Sequence, residues 1–270
     1  MVLRIQNPNS PQVKFTDNTE QNLLDFRDYV SKLNNKTLTY KEFQDEVDIL
    51  KFNTSSYVRV EFPFFKNAGL INDYKVIDSN LLTKLGNAYC YVIENIRILR
   101  NSFLTEENQK LLDEFLVTRQ NIIKITIKNL TNINSCEYGQ VLKKMILFLI
   151  NFSSIDETEF ALILDQMKLL PTVPISQTER IVEDYRNNSD SLHFQVETKK
   201  KSTGIIELDN NTNCYSYFIG ILQDAGIGTI DKGRLYLNKK IKDQLIENYG
   251  GKYEWRTWSR IKGSCKGKFY

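Results

Sequence analysis

A chain of 270 residues has room for two or three small domains, and 41% apolar with 26% charged residues describes a soluble globular protein rather than a disordered or membrane one. The longest unbroken apolar run, residues 145–150, is far too short to cross a bilayer, and the opening Met1-Val2-Leu3-Arg4-Ile5-Gln6-Asn7-Pro8 lacks the apolar segment of a secretion signal. The net charge of +3 says little by itself, and four scattered cysteines (Cys90, Cys136, Cys214, Cys265) without a CxxC pair read as the reduced thiols of a cytoplasmic protein and disfavour zinc.

In chain order, residues 1–19 read as an N-terminal arm and residues 20–100 as a first domain. Apolars at Leu23, Leu24, Phe26, Tyr29, Val30 and Leu33 make a helical stripe over 22–33. Thr39 followed three residues later by Glu42 is a capping-box pattern that opens a second helix, with Tyr40, Phe43, Val47 and Leu50 on one face. A third helix is predicted from near Ser55 to Asn67. Val58, Phe62, Phe65 and Gly69 fall on its inner face; Ser56, Arg59, Pro63 and Lys66 fall on the outer one. Pro63 predicts a late start or a bend. Ala68-Gly69 suits a helix C-terminus, and the short apolar runs Leu70-Ile71 and Leu81-Leu82 read as a hairpin before a closing helix over 85–99.

Residues 101–175 have a purely helical pattern, with stripes over 106–128, 140–152 and 156–170. Asp156 is the expected N-cap of the last, with Glu159 three residues on. Residues 176–248 form the next predicted domain. It holds a helix over 176–186, a polar and mobile connection over 187–204, and a helix over 211–225 with Cys214, Phe218, Ile221 and Leu222 inward and Asn211, Tyr215 and Ser216 exposed. Ala225-Gly226 again ends a helix, and a hairpin over 227–237 turns at Asp231-Lys232-Gly233. Residues 249–270 are a tail with six basic residues against the single acid Glu254, interleaved with Trp255 and Trp258. That mixture suits a phosphate-contacting surface; a tail whose tryptophans pack on the preceding domain is the competing reading.

The twice-repeated order of helix, glycine and hairpin is the second half of a winged-helix domain, so the expected fold is mainly α with short hairpins in tandem winged-helix-like subdomains. Such a fold lays a helix in a DNA groove and a hairpin beside the backbone. Candidate DNA contacts are Gln6 and Asn7 in the arm, and Ser55, Ser56, Tyr57, Arg59, Lys66 and Lys75 in the first domain. Asn211, Asn213, Tyr215, Lys232 and Arg234 are the candidates in the second, and Arg256 and Arg260 in the tail. Arginine reads guanine and asparagine reads adenine in the major groove, whereas hydroxyls and helix N-terminal amides suit phosphate.

Catalytic signatures are sparse. His193 is the one histidine, and neither GxxxxGK[ST] nor GxGxxG occurs. Glu197-Thr198-Lys199 ends an apolar stretch with the acid–spacer–lysine order of many Mg²⁺-dependent nucleases, with Asp184 or Asp190 as the upstream acid. The flanking sequence offers no further strands for such a core, and a solvated loop is the expected reading.

The segments Arg59-Val60-Glu61-Phe62, Ala68-Gly69-Leu70-Ile71 and Leu82-Thr83-Lys84-Leu85-Gly86-Asn87-Ala88-Tyr89 resemble the first recognition subdomain of type IIS restriction endonucleases of the FokI and AlwI kind. Asn213-Cys214-Tyr215-Ser216-Tyr217-Phe218, Ala225-Gly226-Ile227 and Leu235-Tyr236-Leu237-Asn238 resemble a further subdomain of related nicking enzymes, and Gln6-Asn7-Pro8 looks like their N-terminal arm. The resemblance implies sequence-specific binding of double-stranded DNA without a cofactor. It also implies a partner nuclease domain or subunit, with Mg²⁺ needed only where that cleavage part is attached. A plasmid replication initiator or transcription regulator, a Mg²⁺-dependent nuclease and a protein-interaction scaffold are the alternatives.

Overall fold

The computed structural model describes residues 1–6, 11–34, 36–50, 55–103, 105–168, 175–199 and 204–250. In chain order the elements are β1 (Val2–Gln6), α1 (Asp17–Ser31), β2 (Leu38–Thr39), α2 (Tyr40–Leu50), α3 (Ser55–Ala68), β3 (Val76–Ile77), α4 (Lys84–Asn101) and α5 (Glu106–Asn132). They continue with α6 (Glu137–Phe152), β4 (Ser154–Ile155), α7 (Glu157–Lys168), α8 (Ile175–Asn187), β5 (His193–Lys199), β6 (Ile206–Asp209), α9 (Tyr215–Asp224), β7 (Gly228–Asp231), β8 (Arg234–Leu237) and α10 (Lys242–Tyr249). The protein is mainly helical with small sheets of two or three strands. Among the described residues no helix is long and apolar enough to cross a membrane.

Two compact units group these elements: residues 11–139 with 220–226, and residues 1–10 with 140–219 and 227–270. The sequence pattern draws a separate middle domain at 101–175. In the structure α5 belongs to the first unit, while α7 and nearly all of α6 belong to the second.

In the first unit, helices close on an aromatic core. Phe26 meets Phe62 edge-on at 5.0 Å between centroids, and Phe43 stacks on Phe62 at 5.4 Å, all three fully buried. The predicted capping box forms: Thr39 N donates to Glu42 Oε2 at 2.7 Å and Glu42 N to Thr39 Oγ1 at 3.3 Å. Helix α3 begins at Ser55 and runs through Pro63 without a break, so the expected late start does not occur. Gly69, at φ +78°, ends it, with Leu70 N donating to Phe65 O at 2.8 Å, a closure that needs a residue tolerant of the left-handed region. The hairpin expected after it is reduced to one bridge, Ile71 to Leu82. Asp73 and Asp78 instead fold the intervening loop by accepting from Lys75 N and Asn80 N, and Val76–Ile77 pairs with β2. The long helices α4 and α5 pack against each other.

In the second unit, residues 2–6 are a strand rather than an arm. Strand β1 runs parallel to β5, which pairs antiparallel with β6. Leu3, Ile5, Phe194 and Val196 bury one face of this sheet, and α7 packs on β1 and β5. Alternating apolars in Val2-Leu3-Arg4-Ile5 carry that register, and burial of Leu3 and Ile5 explains why the segment is not free. The second sheet has the order β4-β8-β7, so the hairpin β7–β8 takes in a strand from far upstream. Its turn lies at Lys232 (φ +45°) and Gly233 (φ +77°), the consecutive positive angles of a tight hairpin turn.

Candidate nucleic-acid interface

Helix α3 carries the predicted outer face. Periodicity buries Val58, Phe62, Phe65 and Ala68 and leaves Arg59 and Lys66 exposed, with Pro63 half-buried between them. The backbone of Ser55, Ser56 and Tyr57 forms the first turn. Lys66 is not an isolated cation: its Nζ lies 3.4 Å from Asp73 Oδ2 and 5.6 Å from the Tyr74 ring centroid. The amide of Lys75, then the Lys66 ammonium, hold the Asp73 carboxyl below its ordinary range. Burial raises the Tyr40 hydroxyl, and the positive charge of Arg59 works against that rise. Lys75 is exposed in the same loop. Arg59, Lys66 and Lys75 thus belong to one helix and the loop that follows it.

The second unit treats its candidates differently. Tyr215, expected on the surface, is buried, and its hydroxyl lies 2.8 Å from Ile155 O and 3.0 Å from Gly233 O. A phenol with both carbonyls in reach is fully used inside the fold. Arg234 is likewise inward. It bonds Asp156, donates from Nη1 to Glu159 Oε2 at 3.1 Å and to Ser154 Oγ at 3.2 Å, and shares Glu159 with Arg186, whose Nε donates at 2.7 Å. Glu159 is 0% exposed and closes the predicted capping box, with Glu159 N donating to Asp156 Oδ1 at 2.9 Å. These two carboxylates at the start of α7, with Ser154 of β4, explain the sequestered guanidinium. Asn211 and Asn213 are exposed before α9; between them buried Thr212 donates its amide and hydroxyl to Glu157 Oε1, each at 2.6 Å. Lys232 is exposed at the hairpin tip.

Gln6 ends β1, and its Nε2 donates to Glu197 Oε2 at 3.4 Å. Asn7, Arg256 and Arg260 lie outside the described residues. Glu197 and Lys199 sit on β5, the central strand of its sheet, which corrects the expected solvated loop and the expected lack of supporting strands. Asp184 is exposed on α8, and Asp190 is exposed in a short 3-10 turn at Ser189–Ser191. Among the described residues no group of three or more histidine, cysteine or carboxylate side chains is placed to hold a metal. Burial pushes the thiols of Cys90 and Cys214 up to about 12, which makes both inert as nucleophiles.

A further cluster in the first unit escaped the sequence reading. Tyr89 Oη donates to Glu20 Oε1 at 2.5 Å, and Arg119 donates from Nε to the same oxygen at 2.7 Å and from Nη2 to Phe15 O at 2.6 Å. Burial raises the nearby Asp224 carboxyl to about 6, against the pull of Arg119. The signal available in the sequence was Arg119 itself, seven residues after buried Leu112 on the inner stripe of α5. Comparison with known proteins finds no family model, no relative and no solved structure that matches the chain.

Proposed function

We propose that the chain binds double-stranded DNA sequence-specifically, as the recognition part of a type IIS-like restriction endonuclease acting in the cytoplasm. The observation that carries this reading is the exposed basic face of α3, in an order of elements that we read as winged-helix-like. In that order a helix, a strand, two helices and a hairpin follow one another, and the strand joins the hairpin. The second unit supports it with α6, β4, α7, the first half of α9 and β7–β8, sheet order β4-β8-β7, and α8, β5 and β6 inserted before α9. The first supports it with α1, β2, α2 and α3, and with β2 paired to the strand returning after α3.

In this reading Arg59 meets a base edge, Lys66 and Lys75 meet phosphates, and the amides opening α3 at Ser55, Ser56 and Tyr57 add a phosphate site. Lys232 at the second hairpin tip, with Asn211 and Asn213, gives a secondary contact. Binding needs no metal; Mg²⁺ belongs to the separate nuclease domain or subunit. Selection of bound sequences from a random duplex pool tests the proposal, with a short asymmetric site as the expected result. No enrichment, together with affinity indifferent to salt, would refute it.

One observation favours a protein partner as well. Tyr91 and Ile98 on α4, Leu111 on α5 and Phe103 in the link between them are exposed, Phe103 at 95%. Tyr91 lies edge-on to Phe115 at 6.1 Å between centroids, which places α4 and α5 apolars side by side. Such a strip suits the nuclease part that the reading requires.

A further inference from the structure

Beside Lys66 on the exposed face of α3 stands an acid that a phosphate contact does not explain. Lys66 Nζ lies 3.4 Å from Asp73 Oδ2, with the two side chains 43% and 54% exposed. The acid is held in place. Asp73 Oδ1 accepts from Lys75 N at 3.2 Å, the Tyr74 ring centroid lies 5.6 Å from the ammonium, and the pairing of Val76 with Thr39 anchors the far end of the loop. The Lys75 amide, then the Lys66 charge, hold the Asp73 carboxyl below its ordinary range, so it is ionised at neutral pH. A phosphate brought to Lys66 would meet this carboxylate at close range, a like-charge contact that opposes binding.

A base-pair edge suits the pair better. In the major groove a G·C pair presents the acceptor O6 of guanine beside the donor N4 of cytosine. Those two atoms hydrogen-bond to each other, so they lie about 2.9 Å apart. A lysine donor and an aspartate acceptor 3.4 Å apart match that spacing in the complementary sense. Lysine donates to guanine O6 and N7, and aspartate accepts from cytosine N4. Neither charge has to abandon its partner on binding, because the ion pair itself is the reading surface. Arg59 precedes Lys66 by seven residues on the same outer face. Two helical turns separate them, about 10 Å along α3, which corresponds to about three base-pair steps.

We propose that Lys66 and Asp73 together read one G·C pair, the ammonium on guanine O6 and N7 and the carboxylate on cytosine N4, about three base pairs from the base met by Arg59. Within the DNA-binding reading on which this rests, Lys66 thereby moves from the phosphate contacts to the base contacts, and Asp73 joins it.

Selection from a random duplex pool, with the full chain and with Asp73→Asn, Lys66→Ala and Arg59→Ala, tests this. In Asp73→Asn the carboxamide keeps an oxygen for Lys75 N and puts a donor where Oδ2 accepted, so the loop is kept while the reading is lost. The parent site should hold a G·C pair that becomes unconstrained in D73N and K66A. R59A should leave that pair fixed and free another position about three base pairs away. Exchanging the G·C pair for A·T should weaken binding of the parent about tenfold or more, and of either variant less than about twofold. The readout is a preference at one position, which partial unfolding would weaken at every position alike. Retention of the G·C pair in D73N would overturn the proposal. So would a K66A that loses affinity equally on all sequences, with a salt slope flatter by about 0.9, which returns Lys66 to phosphate. A parent that enriches no site would sink the DNA-binding reading and this contact with it. A parent site left intact by both D73N and K66A would sink the paired contact alone.

Discussion

Helices α3 and α9 share a local design and differ in what they offer. Each ends at an Ala-Gly whose glycine has a positive φ, and each leads into a chain reversal. Helix α3 shows Arg59 and Lys66 to solvent. Helix α9 buries Tyr215, Phe218, Ile219, Ile221 and Leu222, leaving only Ser216 and Gln223 exposed. Their last turns differ electrostatically too. Lys66 suits the negative end of a helix, whereas Asp224 opposes it and sits where burial raises its carboxyl to about 6. The two hairpin regions follow suit: Lys75 is exposed after α3, while Arg234 after α9 is held by Asp156 and Glu159. A repeated pattern therefore fixes a helix end twice without fixing a hairpin or a surface twice.

The largest effect expected from this contrast is structural. Arg234→Ala leaves Glu159 buried with Arg186 alone and Asp156 without its guanidinium, which should cost about 3 kcal/mol of stability. Urea unfolding reads this directly; an undiminished midpoint together with weaker DNA binding would return Arg234 to the interface.

Arg59→Ala should do the opposite. Stability should stay within about 0.5 kcal/mol of the parent. Binding to the selected site should weaken by about 1–3 kcal/mol, more than binding to random duplex. Equal losses on both DNAs would make Arg59 a phosphate contact, and no loss would turn α3 away from DNA.

Asp224→Asn probes the buried end of α9. The folded carboxyl titrates at about 6 against 3.8 for the ordinary group, so the native state binds the extra proton between those values. Stability is then lost as pH rises from 3.8 to 6, and the amide, which does not titrate, escapes that loss. With the shift discounted for partial solvent access, the variant should be about 1–2 kcal/mol more stable at pH 7.5. The gain should vanish below pH 4. Thermal melts across that range check it, and a gain independent of pH would assign the effect to packing. Smallest of all, Asn213→Ala should change stability by less than about 0.5 kcal/mol, since Asn213 is exposed before α9. A large loss of DNA affinity there would make the second unit the reader.

Much of the local structure was legible in advance. Thr39 with Glu42 and Asp156 with Glu159 announced their capping boxes, and the stripe of α3 separated Val58 and Phe62 from Arg59 and Lys66. Helix ends at Gly69 and Gly226 and the turn at Lys232-Gly233 were equally plain, because capping, periodicity and left-handed backbone are set within a few residues. The reading failed wherever partners were distant. His193–Lys199 looked like a loop until Val2–Gln6 paired with it from the other end of the chain, and Ser154–Ile155 fell between two helical stripes until β8 paired with it. Tyr215 and Arg234 looked like surface residues because the carbonyls of Ile155 and Gly233 and the carboxylates of Asp156 and Glu159 are not their helical neighbours.

The sequence by itself determined the helices, their caps and their turns, since those depend on contacts a few residues apart. Tertiary structure alone decided strand pairing and the burial of Tyr215 and Arg234. Those outcomes depend on which distant groups compete with water for each polar atom, and a one-dimensional pattern does not carry that competition.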